Sequence, residues 1–187
     1  MVRTAKFQPE VFVEAAIDLI AEGGPSAATM VAIARKAGAP TGSIYHRFTS
    51  RSCVVATAWL AVHASLSTRL LPLLRAGKGM ETALALTSWA RESLREARFL
   101  LLNETDDLFE DTPPETLRRE MQRQQEELDE AFFAFLKQEQ GEEALARAKF
   151  ALFDGPVALL RPHLLAGGPV PSYVDRMVMD LHQAVAA

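Results

Sequence analysis

Between Gly23 and Met80 the chain has no acidic residue, although its 187 residues include 24 Asp and Glu. The same stretch holds Arg35, Lys36, Arg47, Arg51, Arg69, Arg75 and Lys78, so a protein of net charge −4 keeps one segment strictly basic. Such asymmetry is the footprint of a surface that meets phosphates. Over residues 1–52, six Lys/Arg oppose four Asp/Glu, a balance of +2; the remainder, 14 against 20, carries −6. Cysteine is as scarce. Cys53 stands alone, which excludes an internal disulfide framework and fits a reducing, cytoplasmic setting. No uninterrupted apolar run approaches the roughly 20 residues that span a bilayer. The candidate at 151–160 is broken by Asp154, Gly155 and Pro156, and the polar start resembles no signal peptide. A soluble chain with no membrane partner is expected.

Catalytic and cofactor signatures are also missing. His46, His63, His163 and His182 are scattered, and no His/Cys spacing suggests a metal. There is no Gly-x-Ser-x-Gly, P-loop or dinucleotide fingerprint, so no catalytic residue, metal or cofactor is expected. The acids Glu104, Asp106, Asp107, Glu110 and Asp111 cluster near an expected helix end, either as a cation site or as a solvated loop.

Alternating strand patterns are absent, and helical periodicity fills the chain. About nine helices are expected, making an all-α fold. Residues 9–22 place Phe12, Ala15, Ala16 and Leu19 on one stripe, and Glu22-Gly23-Gly24-Pro25 ends that helix. A short second helix carries Met30, Ile33, Ala34 and Ala37, with Thr29 or Ser26 as its N-cap. Gly38 suits the left-handed turn that closes it, and Pro40 starts a third helix over about Thr41–Arg47. Ser50 caps a long fourth helix running to Pro72 or Gly77. Five more are expected at about 79–95, 97–110, 113–139, 142–166 and 172–186, with a kink at Pro156.

Helices two and three have helix-turn-helix form: Ala34 allows close packing, Gly38 turns the chain, and Ile44 pins the third helix to the core. About seven residues at 1.5 Å each fit a major groove. The outward positions are Thr41, Gly42, Ser43, Tyr45, His46 and Arg47. Tyr45 is either a phosphate contact or a core aromatic, Phe48 is core, and Arg47 either reads a guanine or holds backbone.

Gly42-Ser43-Ile44-Tyr45-His46-Arg47-Phe48 followed by Arg51, with the Glu-Gly-Gly break, Thr29, Ile33-Ala34 and Ala37-Gly38, resembles the tetracycline-repressor (TetR) family of bacterial regulators over about residues 9–60. The resemblance implies a helix-turn-helix DNA-binding domain at 1–52 and a helical regulatory and dimerisation domain at 53–187. It assigns Thr29, Tyr45, His46 and Arg51 to phosphates, and Thr41, Gly42 and Ser43 to base edges or nearby backbone. The family usually has lysine where this chain has Arg51. The implied function is a repressor that binds palindromic operator DNA as a homodimer and is released by a small-molecule inducer. The alternative is a helical enzyme or carrier whose basic N-terminal region takes anionic ligands. Trp59, His63, Trp89, Phe99 and Asn103 are candidate pocket residues. Phe150, Phe153, Val157, Leu160, Val174, Met177, Val178, Leu181 and Val185 form apolar stripes expected at the dimer interface.

Overall fold

Pro9 at the first helical position, with Glu10 beside the helix N-terminus, starts α1 (Pro9–Gly23), whose Phe12, Ala16, Ile17 and Ile20 are buried. The computed structural model describes residues 7–136 and 141–186. A 3₁₀ turn (Pro25–Ala27) leads to α2 (Met30–Lys36), α3 (Thr41–Tyr45) and α4 (Arg51–Arg75). Of the two possible caps for α2, Thr29 is the one used: its Oγ1 accepts from Ala32 N at 3.1 Å. Ser50 caps α4 in the same way, accepting from Cys53 N at 3.2 Å.

The turn after α2 shows why glycine stands at 38. Gly38 lies at φ +66, its N–H bonds Arg35 O at 3.1 Å, and Ala39 N–H reaches back to Ala34 O at 2.9 Å. This paired closure is a Schellman motif, which requires the left-handed residue at that point.

The body adds α5 (Gly79–Glu92), α6 (Leu94–Leu101), a 3₁₀ turn (Asp106–Leu108), α7 (Glu115–Leu136), α8 (Glu142–Lys149), a π turn (Phe150–Asp154), α9 (Gly155–Ala166) and α10 (Tyr173–Ala186). Since α8, the π turn and α9 run on without a break, the described residues form nine helical rods and no strand. The disruption expected at Pro156 takes the form of the π turn just before it. Pro156 has no N–H to close an ordinary turn onto Leu152. Gly155 meets the next helix so closely that a Cβ there would lie 2.9 Å from Leu181 and 2.8 Å from Phe150 O.

One boundary differs substantially. The sixth helix, expected to reach residue 110, stops at Leu101. Asn103 explains the stop: its side-chain N–H₂ donates to Phe99 O at 2.9 Å and Arg98 O at 3.2 Å, satisfying carbonyls that a continuing helix would have used. The chain then crosses residues 102–114 as an irregular loop. The far end of the helix expected over 113–139 lies outside the described residues.

Helix α4 is the central rod, packed against α1, α5, α6 and α7. An 18-residue window of it has mean hydropathy 1.3, enough to cross a membrane by length and composition, although no uninterrupted apolar run reaches that length. With 56% of that window buried within the protein, the apolarity is explained by its place in the core.

Candidate nucleic-acid interface and ligand cavity

Ile44 is fully buried and Phe48 nearly so, the latter edge-on to Phe12 at 6.4 Å between ring centroids. These anchors turn the rest of α3 and its flank outward. Thr41, Gly42, His46 and Arg47 are exposed, Ser43 is half-buried, and Tyr45 is 55% exposed. Tyr45 is therefore a surface aromatic and Phe48 a core one. Thr29, also exposed, uses its oxygen as the α2 cap and keeps its O–H to donate.

Two bases of the acid-free stretch leave this surface. Lys36 turns to Glu22 of α1 at 3.0 Å and lies 3.9 Å from Asp18. Arg51 corrects the expectation of a phosphate ligand. Its side chain is only 11% exposed, and its guanidinium donates to three backbone carbonyls: Pro25 O at 2.6 Å, Leu108 O at 2.9 Å and Ala28 O at 3.1 Å. Glu110 lies 3.8 Å away. Arg35 and Arg47 remain as exposed bases on the described part of the head.

In the body, the loop expected to be helix walls a cavity of about 320 Å³ with α4 and α7. Trp59, Phe109, Pro113 and Met121 supply apolar wall; Thr105, Asp106, Arg118, Gln122 and Gln125 supply polar groups. Of the five expected pocket residues only Trp59 lines it. His63 is stacked behind the indole at 4.4 Å and faces Gln124 at 3.2 Å and Ser67 at 3.3 Å. Burial holds the His63 pKa below its ordinary value, against weaker opposing pulls from Gln124, Gln125 and Asp129. Trp89 and Phe99 have no exposed surface and are core; the Trp89 N–H is satisfied by Ser65 Oγ at 3.1 Å. Asn103 is the α6 cap already described. Sequence reasoning missed the loop residues because it extended α6 through them. The signal was the run from Asn103 to Asp107, rich in residues that leave helices.

The expected interface stripes divide similarly. Leu160, Val174 and Val178 are buried within the protomer, because α9 and α10 turn those faces to α5, α6 and each other. Phe153, Val157, Leu181 and Val185 are half-buried; Phe153 packs edge-on to Phe132 at 5.5 Å. Phe150 and Met177 are exposed, each 44%. The outward stripes are instead Ala158, Arg161, Pro162 and Leu165 on α9, and Tyr173, Arg176, Met177 and Asp180 on α10.

A helix-turn-helix head thus stands on a body built of helices, with no strand among the described residues. Residues 12–56 match the model of the bacterial regulatory proteins of the tetR family. The fold of the chain as a whole is that of solved TetR-type regulators. The transcriptional regulator FadR from Bacillus subtilis, solved in complex with stearoyl-CoA, superposes with a TM-score of 0.70 at 13% identity, covering 96% of this chain and 98% of its own. A transcriptional regulator from Rhodococcus sp. Rha1 gives 0.69 at 20% identity, covering 96% of each. SmeT, the repressor of the Stenotrophomonas maltophilia multidrug efflux pump SmeDEF, gives 0.62 at 16%, covering 98% of this chain and 90% of its own. No curated protein matches the chain significantly.

Proposed function

We propose that this protein is a homodimeric repressor that binds palindromic operator DNA and is released by a small molecule. The carrying observation is the Schellman-turned α2–α3 pair, with Ile44 inside and Thr41, Gly42, Tyr45, His46 and Arg47 outside, in the segment that matches the tetR family. Thr29, Tyr45 and His46 hold phosphates in this reading, Thr41, Gly42 and Ser43 lie at base edges, and Arg47 reads a guanine or grips the backbone. The head extends to about residue 52 and the remainder regulates and dimerises. With so few long donors on α3, sequence is read largely through small contacts and DNA shape.

The exposed stripes of α9 and α10 pair with those of a second copy across a two-fold axis, so the two recognition helices meet two half-sites. The cavity beside Trp59 receives the inducer; its volume and its mixed apolar and polar wall suit a small organic molecule. Among the similar structures, FadR from Bacillus subtilis is in complex with an organic ligand, stearoyl-CoA, much larger than this cavity. By linkage, inducer and DNA weaken each other's binding equally.

Salt dependence tests the DNA reading. If Arg35 and Arg47 each neutralise one phosphate per subunit, a dimer engages four. The logarithm of affinity for a mixed-sequence duplex should then fall against log salt with a slope of about −4. Binding indifferent to salt, or none at low salt, would refute it.

A further inference from the structure

We propose that Arg51 is the positioning residue that couples the body's cavity to the helix-turn-helix, an inference that rests on the regulator reading only for the use made of the coupling. Its guanidinium is a junction between segments remote in sequence. On one side it holds Pro25 O, at the start of the 3₁₀ turn, and Ala28 O, just after it, on the path that delivers the chain to Thr29, the cap of α2. On the other it holds Leu108 O, 57 residues away, whose neighbour Phe109 is wall of the cavity. An occupant that displaces the backbone at Phe109 moves or releases the Leu108 carbonyl, and the same rigid fork then shifts the entry to α2.

The chemistry requires arginine. Nε, Nη1 and Nη2 each bond a different carbonyl, in three directions set by one plane. A lysine ammonium is a single nitrogen on a flexible stem and cannot hold that fork. This accounts for the departure from the lysine usual in the family: the position has exchanged an outward charge for an inward strut. Of the acidic residues in the loop, Glu110 lies 3.8 Å from Nε, on the same side as the Leu108 carbonyl in sequence.

Other links join head and body. Helix α1 packs against α6, where Arg95 holds Glu14 and Asp18, each at 2.6 Å, and α4 itself runs from Arg51 past Trp59. Helix α1 also packs against the 3₁₀ turn that enters α2. These links exist with or without the strut, so the test must separate them from it.

The experiment is amide hydrogen exchange on the full chain, needing neither inducer nor DNA. Gln122→Trp, on the exposed face of α7 that lines the cavity, serves as a built-in occupant. With Arg51 present, filling the cavity should change exchange by about threefold or more at both 106–110 and 25–33. In the Arg51→Lys background it should change 106–110 alone. An equal response of 25–33 in both backgrounds would assign the coupling to α4 or Arg95 and overturn the proposal, as would no response of 25–33 with Arg51 in place. If Arg51→Lys does not fold, Thr29→Ala tests the reverse direction: loosening the α2 cap should raise exchange at 106–110, and unchanged exchange there overturns the strut. Failure of the DNA reading would instead appear in the duplex-binding measurements, leaving these results standing.

Discussion

Leu165→Glu combined with Met177→Glu is expected to turn the protein into a monomer and to lower its affinity for a palindromic duplex by about 100-fold or more. The two side chains are 60% and 44% exposed, on adjacent helices, and Tyr173 between them is 56% exposed. Large apolar groups so displayed need a partner surface, and a two-fold pairing buries each stripe against its own copy. Four carboxylates would then be trapped without cations in the centre of the interface, a cost no rim contact offsets. Because neither side chain is buried in the single chain, the variant should keep its helical content and the stability of its head. Sedimentation and duplex titration measure the two effects. A variant that stays dimeric would place the interface elsewhere and remove the half-site geometry from the account.

Ile44→Ala should cost about 2–4 kcal/mol of stability, and it should weaken duplex binding by more than that loss of folded protein accounts for. The reason is the shortness of α3, five residues from Thr41 to Tyr45. A helix of that length has no stability of its own in water. Its position rests on the Ser43 N–H bond to Pro40 O, the return of Phe48 N–H to Ile44 O, and the buried Ile44 side chain. Truncating that side chain leaves a cavity under the one element meant to enter the groove, so its outward residues lose their register. Ile44→Val, which removes a single methylene, should cost about 1 kcal/mol and largely retain binding. Thermal unfolding and duplex titration of both variants separate misplacement from simple unfolding. Full binding by a folded Ile44→Ala protein would show that α3 does not carry the recognition.

How much of this was legible in the sequence follows from what encodes each feature. The head was readable because its boundaries are set by local chemistry: Thr29 and Ser50 as caps, Gly38 at a left-handed turn, Pro40 before α3. Ile44 was likewise assigned to the core by its spacing from Gly38, and Phe48 was read as a core aromatic. The body was less so. Its helices have caps of weaker signature, and the end of α6 depends on Asn103 folding back onto two carbonyls rather than on a glycine or proline. Once α6 was read too long, the loop that walls the cavity disappeared into it. Apolar stripes on α9 and α10 could not say which face meets the body and which a second copy; Leu160 and Val174 prove to be core while Leu165 lies outside. Arg51 is the sharpest case. The family resemblance assigned it to a phosphate, and only the tertiary fold, which brings the Pro25, Ala28 and Leu108 carbonyls around it, shows it to be engaged within the protein.

The most direct test of the central claim is selection by the purified protein from a pool of random duplexes. The account predicts enrichment of an inverted repeat whose half-site centres lie one helical turn apart, about 10 base pairs, or a multiple of it. Recovery of no preferred duplex, or of a single unrepeated site, would contradict it.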